Sequence, residues 1–302
     1  MATAEALEAP AEQSRARYPD SEGFVERQGV RIFYEVYGQG EPTVLLLPTW
    51  SIIHSRHWKM QIPYLSRYYR VISYDGPGNG RSDRVTDPAR YSAESYAADA
   101  VAVLDACGVE SAVVVGLSMG GQYGTRLAAF YPERVRGLAL IGPALGLGDP
   151  LPERAGIVEN FHRPYPEDPR GWDKYNLAYW HDHYQDFAEF FFGQIFVEAH
   201  STKPIEDAVR WALEGGPAIL EAEAARPRPQ IPDSEIFTKI DCPVLVIHGI
   251  EDRIQPHQVG EEAARLSQGT LSSMIGSGHM PNVRDPVKVN LLLREFVERL
   301  GR

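Results

Sequence analysis

Short apolar runs alternate with stretches of helical periodicity along most of the chain. Residues 43–47, 70–74, 112–115, 136–141, 243–248 and 270–275 are mostly apolar and rich in β-branched side chains. Such runs predict strands covered on both faces. Residues 24–28 and 30–37 predict two further strands, joined by a tight turn at Gly29. Between the strands, apolar positions recur at helical spacing over 57–69, 92–107, 119–131, 255–266 and 286–300. Tyr96, Ala97, Ala100, Val101, Leu104 and Cys107 form one such stripe, and Val289, Leu292, Phe296 and Leu300 another. Strands alternating with helices predict an α/β protein with a mostly parallel central sheet and helices on both faces. In such sheets the ligand site lies at the carboxyl ends of the strands.

The alternation stops after 142. Residues 143–234 carry prolines at both ends and a middle crowded with aromatics, Phe161 to Phe196 among them. This segment is read as an inserted helical cap that roofs a pocket. The core is then 23–142 together with 235–302. Residues 1–22 are rich in Ala, Glu and Pro without apolar periodicity, and are read as a mobile tail or an arm docking on a partner subunit. The second reading leaves a homo-oligomer open.

Composition narrows the partners. A formal net charge of -11 argues against nucleic acid and anionic membrane surfaces. No apolar run approaches the ~18–20 residues of a membrane span. The start of the chain lacks the basic flank and apolar block of a signal peptide. The 2 cysteines, Cys107 and Cys242, sit in or beside apolar segments. Buried free thiols fit a reducing cytoplasm, which is the expected location.

The predicted strand ends carry the chemistry. The strand 112–115 runs into Gly116-Leu117-Ser118-Met119-Gly120, a G-x-S-x-G turn that opens a helix. Small residues flank the serine because strand and helix backbones pass close together, and the helix N-terminus points its N–H groups at the same spot. A serine hydroxyl needs a base to remove its proton at neutral pH. His279 follows the last predicted strand, in Gly276-Ser-Gly-His279. Asp252 follows the strand 243–248 and supplies the carboxylate that fixes an imidazole tautomer. Glu251 and Asp75 are the other candidate acids, Asp75 more plausibly organising its own glycine turn. That turn, Asp75 to Asp83, lacks the Lys-Ser/Thr ending of a phosphate loop. His181 and His183 have a metal-like spacing, but i and i+2 on a helix point to different faces. No metal and no cofactor are expected.

With these motifs in their order Ser…Asp…His, the chain resembles the single-cap α/β-hydrolases over residues 24–300. The resemblance implies a triad of Ser118, Asp252 and His279, and an oxyanion hole made by the N–H groups of Trp50 and Met119. Many relatives carry His-Gly where this chain has Pro48-Thr49, so the loop path there is expected to differ. A hydroxyl of Thr49 or Ser51 is a candidate extra donor. The substrate pocket is expected to use Thr49, Ser51, His54 and Met280 from the core, with Tyr179, Trp180, Tyr184 and Phe191 from the cap. The implied substrate is a small to medium apolar molecule, and the implied reaction is hydrolysis of a carboxylic ester or lactone. Carbon–carbon bond hydrolysis with the same triad is the alternative. A ligand receptor or a cofactor-free oxygenase on the same fold is a further one.

Overall fold

Eight strands form one sheet in the order β1-β2-β4-β3-β5-β6-β7-β8. They are β1 (Ser21–Arg27), β2 (Val30–Tyr37), β3 (Thr43–Leu46), β4 (Val71–Tyr74), β5 (Ala112–Leu117), β6 (Val135–Ile141), β7 (Val244–Gly249) and β8 (Thr270–Met274). The computed structural model describes residues 15–300. Strands β3 to β8 run parallel to one another, whereas β2 is antiparallel to both β1 and β4. Gln28 and Gly29 both take positive φ, the two-residue turn whose twist matches a hairpin.

The helices are α1 (Ile62–Leu65), α2 (Ala93–Ala106), α3 (Met119–Phe130), α4 (Ile157–Asn160), α5 (Leu177–Ile195), α6 (Thr202–Gly215), α7 (Pro217–Ala224), α8 (Asp233–Ile236), α9 (His257–Ser267), α10 (Pro281–Arg284) and α11 (Pro286–Leu300). The strand periodicity of two sorts the core onto two faces. Val44, Leu46, Val113, Val115 and Ile247 share one cluster with α1, α5, α6 and α11. Leu45, Leu47, Ala112, Val114 and Val246 face α2, α3 and α9. Buried apolar area on both faces is the main driving force for this arrangement.

Two expectations are corrected. The helix predicted over 57–69 is broken into a 3₁₀ turn (Ser55–Trp58) and the short α1, with Pro63 in its first turn. The residue before a proline is pushed out of the α region and proline has no N–H, so one continuous helix is disfavoured there. The tail is shorter than 1–22. Strand β1 starts at Ser21, Arg15 pairs with Glu35 at 2.8 Å, and Arg17 donates to Ser66 Oγ. The reading of 1–14 as a tail or arm lies outside the described residues. Among the described residues no helix is long and apolar enough to cross a membrane.

The sheet order reverses between β3 and β5, because the chain leaves β3 for β4 on one side and then crosses back to β5 on the other. The loops after β3 and β5 therefore face each other across a crevice, the usual ligand position of a doubly wound sheet.

Candidate active site

The turn at Ser118 has φ 53° and ψ -116°, a backbone conformation few L-residues adopt. It is held because nothing else fits. A Cβ on Gly116 would stand 2.2 Å from the carbonyl oxygen of Gly120, and one on Gly120 would stand 2.5 Å from that of Pro48. Strand β5, helix α3 and the loop after β3 thus close on one point. Stored strain of this kind concentrates where the surrounding structure over-determines it.

Asp252 and His279 meet at the ends of β7 and β8. Asp252 Oδ2 lies 2.7 Å from His279 Nδ1, and both residues are buried. Asp252 Oδ1 accepts the N–H groups of Ile254 and Gln255 at 2.7 and 2.9 Å. Burial alone would raise the Asp252 carboxyl, but the electrostatic attraction and hydrogen bonds of His279 and His248 outweigh it and hold the group well below the usual carboxylate range. Glu251, the neighbouring candidate, is exposed. Asp75 is engaged elsewhere, accepting Arg81 N–H at 2.9 Å within its own turn and Ser55 N–H of the 3₁₀ turn after β3 at 3.0 Å. His279 N–H donates to Ile195 O at 3.1 Å, which ties the histidine loop to the end of α5. Ser118 Oγ has no hydrogen-bond partner among the described residues. It opens with His279 into one cavity of about 270 Å³. Nucleophile–base contacts are often long in the absence of substrate.

Trp50 and Met119 line the same cavity beside Ser118. The loop that carries Trp50 is fixed at three points. Leu47 N–H donates to Val115 O, Thr49 Oγ1 donates to Leu117 O, and Ser51 N–H donates to Glu223 Oε2, at 2.9, 2.9 and 3.0 Å. Thr49 lines the cavity, yet its hydroxyl is already spent on the β5 end and is not a spare donor. Glu223 on α7 is fully buried and also accepts from Tyr123 OH at 3.3 Å. Burial raises its carboxyl above the usual range, against the opposing charge of Arg226 and the hydrogen bonds from Ser51 and Tyr123. Tyr123 in turn stacks on Tyr96 with ring centroids 3.9 Å apart.

Of the expected pocket residues, Thr49, Phe191 and Met280 line the cavity. Ser51, His54, Tyr179, Trp180 and Tyr184 do not. Ser51 turns its backbone toward Glu223. His54 packs on Trp211, 4.9 Å between ring centroids, in a separate groove with Asp75 and Arg81. Tyr179 and Tyr184 donate to Asp186 and to Ala212 O, and Trp180 packs on Phe161, Tyr175 and Phe187. Helix α5 is kinked at His183. Its first half is spent on packing between helices, and only its last turns bring Phe191, Phe192 and Ile195 to the cavity wall. His181 pairs with Glu221 at 2.9 Å.

Sequence reasoning missed Arg154, Tyr175 and Arg226, which also line the cavity. The arginines sit in the proline-bounded ends of the insertion, where no periodicity shows which way a side chain points. Arg154 lies 4.9 Å from the ring centroid of Trp172, and Arg226 donates to Glu223 O at 2.9 Å.

A family model described as alpha/beta hydrolase fold matches residues 42–286. The chain is similar to a 3-oxoadipate enol-lactonase of Acinetobacter baylyi, 27% identical over 91% of this chain and 96% of the relative. It is also similar to a 2-hydroxymuconate semialdehyde hydrolase of a Pseudomonas species, 29% identical over 89% of this chain and 91% of the relative. Among solved structures it resembles Est816, described as an N-acyl homoserine lactone degrading enzyme. That likeness has a TM-score of 0.75 and 27% identity, covering 91% of this chain and all of the other.

Proposed function

The chain belongs to the alpha/beta hydrolase fold family, and from that premise we propose that it is a serine hydrolase of carboxylic esters or lactones. The observation that carries this reading is the 2.7 Å contact of Asp252 with His279 at the rim of the cavity into which Ser118 opens. Relatives named as an enol-lactonase and as an esterase/perhydrolase match nearly the whole chain and support it.

In this mechanism His279 Nε2 takes the proton of Ser118 Oγ as the oxygen attacks the substrate carbonyl. Asp252 holds Nδ1–H and stabilises the imidazolium. The N–H groups of Trp50 and Met119 receive the developing oxyanion, aided by the N-terminal end of α3. The carbon–oxygen bond to the leaving group breaks, and His279 returns its proton to that oxygen. Water then attacks the acyl-enzyme, with His279 again as base, and releases acid and free Ser118. Residues 143–234 act as the cap, and Phe191, Phe192 and Ile195 give the substrate an apolar wall.

Turnover of p-nitrophenyl butyrate by the wild type and by Ser118→Ala tests the reading. A loss of at least ~10³-fold in kcat is expected for the variant. Equal turnover by both proteins would contradict it.

A further inference from the structure

Buried arginines elsewhere in this chain are neutralised. Arg56 pairs with Glu35, Arg27 and Arg90 share Asp99, and Arg126 pairs with Asp233. Leaving a buried charge without its partner is costly, which explains that pattern.

The two half-buried arginines of the cavity depart from it. Among the described residues neither Arg154 nor Arg226 has a carboxylate oxygen within 4.0 Å. Each gives one bond to a backbone carbonyl, Arg154 to Ile254 O and Arg226 to Glu223 O. Arg154 Nε is buried with no acceptor. The two carboxylates that act on them through space are already committed. Glu223 receives Ser51 N–H and Tyr123 OH, and Asp252 receives two histidines and two backbone N–H groups. Burial pulls the Arg154 guanidinium down from its ordinary value, whereas at Arg226 the same burial is outweighed by the nearby Glu223 charge and the guanidinium is held above it, so Arg154 is the less compensated of the two. Tyr175 lies within electrostatic reach of both arginines and adds a phenol donor to the same wall. An acidic chain of net charge -11 has thus concentrated cationic donors in the cavity of its nucleophile.

We propose that this cavity selects esters or lactones that also carry a carboxylate, which Arg154, Arg226 and Tyr175 receive while the scissile carbonyl stands at Ser118. Guanidiniums match a carboxylate in shape as well as charge, since their N–H groups pair with its two oxygens in one plane. Apart from Thr49, Gln255 and the candidate catalytic residues, the remaining wall is apolar, so the ligand is mainly apolar with one anionic end. This inference rests on the hydrolase reading above and deepens it.

The test compares kcat/KM for p-nitrophenyl hydrogen glutarate with that for the neutral p-nitrophenyl pentanoate. A ratio well above one, on the order of ten, is expected for the wild type, since one charged hydrogen-bonded contact is worth about a factor of ten or more. Arg154→Gln and Arg226→Gln should each cut that ratio about tenfold, and Arg→Lys at either position should keep more of it. The ratio is an internal control against partial misfolding. A wild-type ratio at or below one, or a ratio unchanged in both Gln variants, would overturn the proposal. Calorimetric binding of glutarate to Ser118→Ala reads the anion site without turnover. Glutarate binding that Arg226→Gln abolishes, in a protein that hydrolyses no ester, would sink the hydrolase reading and leave the anion site standing. Ester turnover without charge preference, and no glutarate binding, would do the reverse.

Discussion

His248 and His279 share one oxygen of Asp252. His279 Nδ1 reaches Oδ2 at 2.7 Å and His248 Nε2 reaches the same atom at 3.1 Å. The other neighbour of His248 Nε2 is Gln255 O at 3.2 Å, so Nε2 faces acceptors only and carries hydrogen. Its Nδ1 is buried without a partner, and Gly260 packs directly against it. His248 therefore donates to the carboxylate that orients the candidate base, and it draws off part of the negative charge that stabilises the imidazolium.

Removing that donor should make Asp252 a stronger partner for His279. In His248→Leu the acidic limb of the kcat/KM profile is expected to move to higher pH. His248→Gln, which keeps an N–H, should move it less. Rate profiles in a common buffer series between pH 5 and 9 check this. A limb that stays in place in His248→Leu would remove His248 from the account.

Glu223 braces the loop that presents Trp50, through Ser51 N–H. Glu223→Ala should lower kcat/KM by roughly 10–100-fold, because a small misplacement of an oxyanion donor is costly. Glu223→Gln keeps an acceptor for Ser51 and removes the buried charge. The Glu223 carboxyl lies above its ordinary range in the fold, so the unfolded chain gives up that proton first. Stability then falls as pH rises through the window above the unfolded value of about 4.3. Glu223→Gln should therefore gain on the wild type in urea midpoint between pH 4 and pH 7.5.

Acid stability isolates another buried group. The His57 imidazole is pushed down to about 3, mainly by burial, with its Nδ1 3.1 Å from His54 O. The unfolded chain binds this proton near pH 6.5 and the folded chain does not, so stability falls as pH drops below that value. His57→Leu should lose less stability than the wild type between pH 6.5 and pH 4, by up to about 1.4 kcal/mol per pH unit. Urea titrations at three pH values measure the slope. Parallel slopes would contradict a neutral buried His57.

Arg126 on α3 pairs with Asp233, which also accepts Gly146 N–H at 2.6 Å and so anchors the chain just before it returns to β7. Arg126→Met should cost about 3–5 kcal/mol, since it strands a buried carboxylate. The double variant Arg126→Met with Asp233→Leu should recover most of that loss. Equilibrium unfolding of Arg126→Met, Asp233→Leu and the double variant closes the cycle.

The parts of this fold legible in the sequence are those with a short period and a local signal. The elbow declared itself because Gly116 and Gly120 leave room that only glycine can, and Asp252 and His279 followed because they stand just past predicted strands. Boundaries were blurred where proline interrupts a pattern, as at Pro63. The pocket wall was legible only at Thr49, Phe191 and Met280. Tyr179, Trp180 and Tyr184 look like Phe191 in sequence, and only the kink at His183 and the packing of α6 and α7 decide which of them meets the cavity. Arg154 and Arg226 carry no sequence signal of a place on the cavity wall, because a charged residue in a proline-bounded stretch reads as surface.

The most direct test of the central claim is intact mass after exposure to a small fluorophosphonate. The account predicts one adduct on the wild type and none on Ser118→Ala, with labelling strongly slowed in His279→Ala. A folded wild-type protein that takes up no adduct, or a Ser118→Ala variant that labels as fast as the wild type, would contradict an activated nucleophile at the β5 elbow.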